Sequence, residues 1–166
     1  VGIVHDTGVF QYSCTSAKTM EIAGALMETG IDFTKIVDET FYTKTFVQNK
    51  ILGKALLEAK LYREGKIIAS VITAEDMKNF QVLPKHLDGI VNQLRITKGV
   101  EVALFLYEND DGTFKASTRC NGDVDLAKIA VAFGGGGHKK AAGFSIKKDE
   151  PEKMIEKIVT EIEKQL

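Results

Sequence analysis

Apolar residues recur at the three- and four-residue spacing of an amphipathic helix in several separate segments of the chain. The clearest of these segments begins at Pro151, a residue suited to the first turn of a helix, and places its apolar residues on one side. Residues 33–41 and 74–80 fit shorter helices. The longer predicted helices run from Thr15 or Ser16 to Thr29, over 45–61, and onward from Pro84, Asp123 and Pro151.

Runs rich in apolar residues separate these helices and predict strands. The sequence Asn109-Asp110-Asp111-Gly112 is a strong turn signal, so the strands that flank it should form a hairpin. Residues 1–4 are typical of a buried strand in a parallel sheet, and because this strand begins at the first residue we expect further residues before it. Alternating strands and helices indicate an α/β fold with a mixed sheet. The other predicted strands cover 66–73, 100–108, 114–119 and 142–146.

Composition narrows the classes of protein that fit. The chain has 166 residues, 44% hydrophobic and 27% charged, as in a soluble globular domain. Its net charge of −1 excludes a global basic field, so any nucleic-acid contact should be local and short. The sequence shows no membrane span or signal peptide. Cys14 and Cys120 lie far apart, which argues against a zinc site or disulfide framework and favours the cytoplasm.

Four consecutive glycines followed by a histidine are the strongest chemical signal in the chain. They are Gly134, Gly135, Gly136, Gly137 and His138. One glycine would be enough to end a helix, whereas a run of them offers backbone N–H groups that an anion can approach. The alternative is a flexible connector, but the run lies between a predicted helix and a predicted strand. We therefore expect a phosphate site in which His138 donates to an oxygen.

Other polar residues give weaker signals. Asp6 lies between an apolar run and Gly8, where a carboxylate could bind a divalent cation or could simply stabilise a turn. If the strand continued through His5, that side chain would face away from Asp6. Arg119 ends a predicted strand shortly before the glycine run and could form paired hydrogen bonds with a phosphate. Lys139 and Lys140 are more typical of a solvated surface.

These signals occur together, in this order, in one family. The segment Asp6-Thr7-Gly8-Val9-Phe10, with Thr15 and Ser16 beyond it, resembles the last conserved motif of the DHH phosphoesterase domain. Further segments resemble the signature of the DHH-associated C-terminal domain, and together the motifs cover essentially the whole chain. Those segments are residues 88–95, 99–103, 118–122, 129–130, 133–138 and 141–143.

The resemblance implies a particular domain organisation. Residues 1–43 would be the C-terminal remnant of a parallel-sheet DHH domain, residues 44–62 a connector helix, and residues 63–166 a mixed-sheet substrate-binding domain. The small two-domain members are oligoribonucleases that also act as pAp phosphatases, related to the RecJ exonuclease. The resemblance therefore implies hydrolysis of short RNA or pAp with paired Mn²⁺ ions.

The resemblance also assigns roles to residues. Asp6 would be a metal ligand, while Arg119, His138 and the glycine run would bind the substrate phosphate. The earlier metal motifs of the family, including the Asp-His-His triplet, are absent from these 166 residues, so no complete catalytic set is expected and the isolated chain should be inactive. Cys120 stands where the family often has serine, and His5 where it often has a small residue or threonine.

Other functions remain open at this point. The same enzyme class could act on inorganic polyphosphate or a cyclic dinucleotide. A related domain is appended to alanyl-tRNA synthetases, so the chain could instead be a non-catalytic RNA-binding module, although the Asp6-Thr7-Gly8 segment argues against this. The sequence leaves open a homodimer and the roles of His5, Lys139 and Lys140.

Overall fold

The chain folds into two compact units, Val1–Thr45 and Phe46–Leu166, in a computed structural model that describes residues 1–12 and 14–166. The first unit is helical. It contains α1 (Gly2–Asp6), α2 (Ala17–Glu28) and α3 (Phe33–Val37), followed by a π-helical turn at Asp38–Tyr42. Among the residues that the structure describes, no helix has the length and apolarity needed to cross a bilayer.

The prediction of a strand at residues 1–4 is wrong, because these residues begin α1. The His5 N–H donates to the Val1 carbonyl at 3.0 Å and the Thr7 N–H to the Ile3 carbonyl at 3.1 Å. A strand needs a neighbouring strand to pair its backbone groups, and residues 1–12 and 14–45 contain none. The segment therefore forms its hydrogen bonds locally. The next helix follows the prediction closely, since Ser16 caps α2 in a capping box with Thr19.

The second unit is built on a six-stranded mixed sheet with the order β1-β2-β3-β4-β6-β5. The pairing of β2 with β3 is parallel, and all other neighbours are antiparallel. The strands are β1 (Lys60–Tyr62), β2 (Ile67–Ile72), β3 (Val102–Glu108), β4 (Thr113–Cys120), β5 (Gly136–His138) and β6 (Ala141–Lys147). The helices are α4 (Phe46–Leu57), α5 (Ala74–Phe80), a 3₁₀ turn at Pro84–Leu87, α6 (Ile90–Arg95), α7 (Leu126–Ala132) and α8 (Pro151–Glu163).

Three predicted boundaries are corrected by contacts made within this unit. The helix predicted over 45–61 ends at Leu57, because Lys60 pairs with β2 at the sheet edge. The helix predicted to start at Pro84 is interrupted at Gly89, whose φ of +91° breaks the helical path before α6. Asp125, rather than Asp123, caps α7, because its carboxylate accepts hydrogen bonds from the Ala127 and Lys128 N–H groups.

The two faces of the sheet are covered differently. Helices α7 and α8 pack on one face, where β2, β3, β4 and β6 all contribute to a continuous apolar core. Helices α4, α5 and α6 pack on the other face, but the core there takes strand residues only from β2 and β3. That core therefore does not extend over β4, β6 and β5 on this second side of the sheet, and we call this part the uncovered face.

Glu108 is a buried carboxylate that joins three elements of this unit. It ends β3, accepts a hydrogen bond from the Ala74 N–H at the start of α5 at 3.0 Å, and pairs with the Lys148 ammonium. The hydrogen bond from Ala74 and the ion pair with Lys148 hold the pKa of this carboxyl below its ordinary value. The charged form of Glu108 therefore stabilises the fold.

We expect Glu108→Gln to lower the free energy of unfolding at pH 7 by about 1–2 kcal/mol, because a charge-assisted hydrogen bond and an ion pair are weakened. The pKa is lower in the folded than in the unfolded state, so this stabilisation is present above the unfolded pKa and is lost as the pH falls through the folded pKa. Urea unfolding from pH 7 to pH 3 should show the gap between wild type and variant closing in acid. A gap that is constant with pH, or equally large for the exposed control Glu64→Gln, would contradict this role.

Candidate phosphate-binding site

The strand register places Arg119 and His138 in one row on the uncovered face. Arg119 of β4 lies opposite Ala141 of β6, and Ala141 lies opposite His138 of β5. Directly opposed residues project to the same face, so all three side chains share it. With strands about 4.8 Å apart, the Cα atoms of Arg119 and His138 are about 10 Å apart. Two long polar side chains therefore flank a single alanine.

The neighbouring row makes the floor of this site flat. Ser117, Gly143 and Gly136 are paired across the same three strands. His138 and Gly136 are exposed, and Arg119 and Ser117 are half-buried. The Arg119 guanidinium donates to the Thr118 carbonyl at 2.9 Å, which holds the side chain against its own strand. The site is thus a shallow polar surface beside a strand edge.

The fold requires glycine at several positions of the run, for reasons that the sequence did not reveal. The N–H groups of Gly134 and Gly135 donate to the carbonyls of Val131 and Ala130 at 2.9 and 2.8 Å, so they end α7. A Cβ on Gly135 would lie 2.3 Å from the Gly143 carbonyl oxygen. The assignment of the glycine run to substrate phosphate stays a prediction, and the N–H groups of Gly134 and Gly135 are already used within the fold.

Gly137 and Gly136 differ in the space that each would offer to a side chain. A Cβ on Gly137 would lie 2.5 Å from the Ala142 Cα, and its φ of +148° is also unfavourable for a side chain. At Gly136 a Cβ would meet open space. Three of the four glycines are therefore fixed by helix termination or by contact with β6, and Gly136 is the one that local geometry does not require.

The two lysines after His138 connect the hairpin to its surroundings. The Lys139 carbonyl accepts a hydrogen bond from the Leu126 N–H at 3.0 Å, and the Lys140 ammonium donates to the Gly122 carbonyl. The sequence favoured a solvated surface for both residues, and it missed these contacts because they join distant segments.

A brace at the end of β4 was also missed by sequence reasoning. The Asn121 side chain donates to the carbonyls of Arg95 and Val100 at 2.8 and 3.0 Å, and it accepts from the Arg95 guanidinium at 2.6 Å. This brace fixes the chain two residues after Arg119. Cys120, between them, projects into the opposite core, where burial raises the pKa of its thiol and disfavours the thiolate.

Asp6 lies in the first unit, at the end of α1. Its carboxylate is 3.5 Å from the His5 imidazole, and both side chains are largely exposed, at 83% and 74%. Because α1 is a helix, the strand that would have turned His5 away from Asp6 does not form. Within the described part of the chain, no three His, Cys, Asp or Glu residues are grouped so that they could hold a metal ion. Asp6 and His5 therefore do not form a metal site on their own.

The residues after Asp6 have structural roles. The buried Thr7 hydroxyl donates to the Ile3 carbonyl at 2.7 Å and accepts from the Phe10 N–H at 3.0 Å. Gly8 has a φ of +56°, and a Cβ there would lie 2.4 Å from the Tyr12 ring. The motif thus forms a tight turn that leaves Asp6 exposed.

A domain built on this mixed sheet falls into a known class, which comparison of the sequence with family models identifies. Residues 64–166, more than half of the chain, match the family model described as the DHHA1 domain. The chain belongs to the DHHA1 domain family, which confirms the family expected from the sequence motifs.

Relatives extend the match to the N-terminal unit. The bifunctional oligoribonuclease and PAP phosphatase NrnA of Thermus thermophilus is 26% identical over 166 residues, covering 99% of this chain and 49% of the relative. The protein of the same name from Bacillus subtilis is 29% identical over 161 residues, covering 96% of this chain and 50% of the relative. The chain spans about half the length of these curated relatives.

A solved structure confirms the fold class. The crystal structure of an exopolyphosphatase-related protein from Bacteroides fragilis matches with a TM-score of 0.88 and 26% identity, covering 96% of this chain and 47% of that chain. The predicted domain boundaries stay a prediction, although the structure separates its two compact units at Thr45 and Phe46 and includes α4 in the core of the second.

We expect Gly135→Ala to lower the free energy of unfolding by about 2 kcal/mol, because the added methyl overlaps backbone atoms of β6 that cannot move aside independently. Gly136→Ala is the matched control one position along, where the methyl meets no atom within 4 Å. Thermal and urea unfolding of the two variants measure the difference. Equal stability of the two variants would show that the close contact at Gly135 does not constrain the fold.

Proposed function

We propose that this chain provides the substrate-binding half of a metal-dependent phosphoesterase that hydrolyses short RNA oligonucleotides, pAp, or both. The observation that carries the proposal is the row formed by Arg119, Ala141 and His138 on the uncovered face of the sheet. The printed names of the Thermus and Bacillus relatives support the choice of substrates.

The row suits a terminal phosphate for geometric and electrostatic reasons. A guanidinium can form paired hydrogen bonds with phosphate oxygens, and an imidazole can donate one more from the opposite side. The flat floor around Gly143 and Ser117 leaves room for a sugar and a base beside the phosphate. Arg119 and His138 would bind and orient the substrate, and the Asn121 brace would hold the end of β4 in place during binding.

We propose that this chain contributes substrate binding and a single metal ligand, because its described residues do not complete a metal site. Mn²⁺, when bound, would supply the activation of water. We propose that Asp6 is one ligand and that the remaining ligands lie outside these 166 residues. We further propose that the protein acts in the cytoplasm, and the family resemblance allows a homodimer.

Inorganic polyphosphate is a second candidate substrate. The structural relative from Bacteroides fragilis is described as exopolyphosphatase-related, and a row of phosphate-binding side chains does not by itself select a nucleoside. A cyclic dinucleotide or a non-catalytic RNA-binding role would use the same surface. Comparison of ligands with and without a base distinguishes inorganic polyphosphate from the nucleotide ligands.

We expect the 166-residue chain to bind pAp and short RNA more tightly than tripolyphosphate in calorimetric titrations at low salt. Arg119→Ala and His138→Ala should each weaken binding by about tenfold, the effect of losing one charge-assisted hydrogen bond. The matched control is Lys153→Ala, which changes an exposed cation on α8. Affinities unchanged in both site variants would exclude this row as the binding site, and a preference for tripolyphosphate would favour the second candidate.

Hydrolysis is tested with the full-length protein in the presence of Mn²⁺. We expect release of mononucleotides from short RNA or of phosphate from pAp by the full-length protein, and no release by the 166-residue chain alone. His138→Ala in the full-length protein should lower the rate mainly through substrate positioning. Binding without hydrolysis by the full-length protein would instead support a non-catalytic RNA-binding module.

A further inference from the structure

A second cation lies on the same uncovered face, further along β4. Lys115 pairs with Ser145 of β6 on one side and with Tyr107 of β3 on the other. It is four residues before Arg119 on the same strand, so both side chains project to the same face. At about 3.3 Å per residue, their Cα atoms lie about 13 Å apart.

Lys115 stands over an aromatic ring rather than beside a carboxylate. Its ammonium lies 6.0 Å from the centroid of the Tyr107 ring, and it is exposed, whereas Tyr107 is half-buried against the neighbouring core. An exposed lysine beside an aromatic face is a combination that single-stranded nucleic acids use, the cation for a phosphate and the ring for a base.

The charges on this face are of one sign. The charged strand residues of β4, β5 and β6 that share it are Arg119, Lys115 and Lys147, and no carboxylate is among them in this fully described part of the chain. The net charge of the whole chain is −1, so this row of positive groups is a local feature. A local cationic track complements a short polyanion.

We propose that Lys115 and Tyr107 form a second subsite, which binds the phosphate and base of a nucleotide beyond the one held at Arg119 and His138. The inference rests on the proposed function and deepens it, because it assigns the surface to a single-stranded oligonucleotide that lies along β4. Successive phosphates of a stacked strand are about 3.4 Å apart along the axis, and further apart when extended, so about 13 Å separates phosphates about two to four nucleotides apart. pAp, with one nucleoside, cannot reach both subsites.

Lys115→Ala tests this subsite, and Lys157→Ala is a matched control. Lys157 lies 5.9 Å from the centroid of the Phe133 ring, but it belongs to α8 on the opposite face of the sheet. Both variants remove one exposed lysine from above an aromatic ring. The measurements are affinities of the 166-residue chain for pAp and for RNA of two to five nucleotides, at several salt concentrations.

We expect Lys115→Ala to bind pAp as wild type does and to bind the four- and five-nucleotide RNAs about five- to tenfold more weakly. The slope of log affinity against log salt for those RNAs should fall by about 0.7, the value for one phosphate contact on a single strand. Lys157→Ala should match wild type with every ligand.

The outcomes separate the subsite from the proposed function. If wild type binds RNA and Arg119→Ala weakens that binding, but Lys115→Ala matches wild type at every length, the subsite is overturned and the proposed function stands. An equal loss for pAp and RNA in Lys115→Ala also overturns the subsite. If wild type binds neither pAp nor RNA, the proposed function fails and the subsite fails with it.

Discussion

The antiparallel pairing of β4 with β6 is the interaction on which the rest of the second unit depends. It runs from Thr113 opposite Lys147 to Arg119 opposite Ala141, and each residue pair sends its side chains either into the apolar core or onto the open face. A slip of one residue would exchange the two sets, placing Arg119 in the core and Phe114 in solvent. The same pairing therefore determines both the stability of the domain and the position of its polar side chains.

Close approach between the chain after α7 and β6 accounts for the composition of the glycine run. Phe133 and Phe144 stack with centroids 4.7 Å apart and an interplanar angle of 13°, and this contact draws the backbone of Gly135 onto β6. Bare backbone is required there for packing. The resulting hairpin places His138 across β6 from Arg119, so the apolar contact beneath the sheet edge determines the geometry of the polar groups above it.

Local signals in the sequence were sufficient to predict most helices and strands, but they were insufficient to predict how the candidate site is arranged. The Asn109–Gly112 turn predicted the hairpin, and the capping residue Ser16 predicted the start of α2, because both act through neighbouring residues. The strand predicted at residues 1–4 does not form, because a strand depends on a pairing partner elsewhere in the chain. The alignment of Arg119 with His138 arises from pairing across three strands, which no local pattern encodes. The motifs pointed to Arg119 and His138 as candidate site residues, whereas only the register shows how the two are arranged.

The short length of β5 has a consequence for association between molecules. Both outer strands of the sheet, β1 at Lys60–Tyr62 and β5 at Gly136–His138, are only three residues long. Long unpaired edges recruit strands from other chains, and short ones offer too few hydrogen bonds to hold them. The face that carries Arg119 and His138 thus ends at an edge too short to nucleate aggregation, so the exposure of His138 there does not open the protein to self-association through its strands.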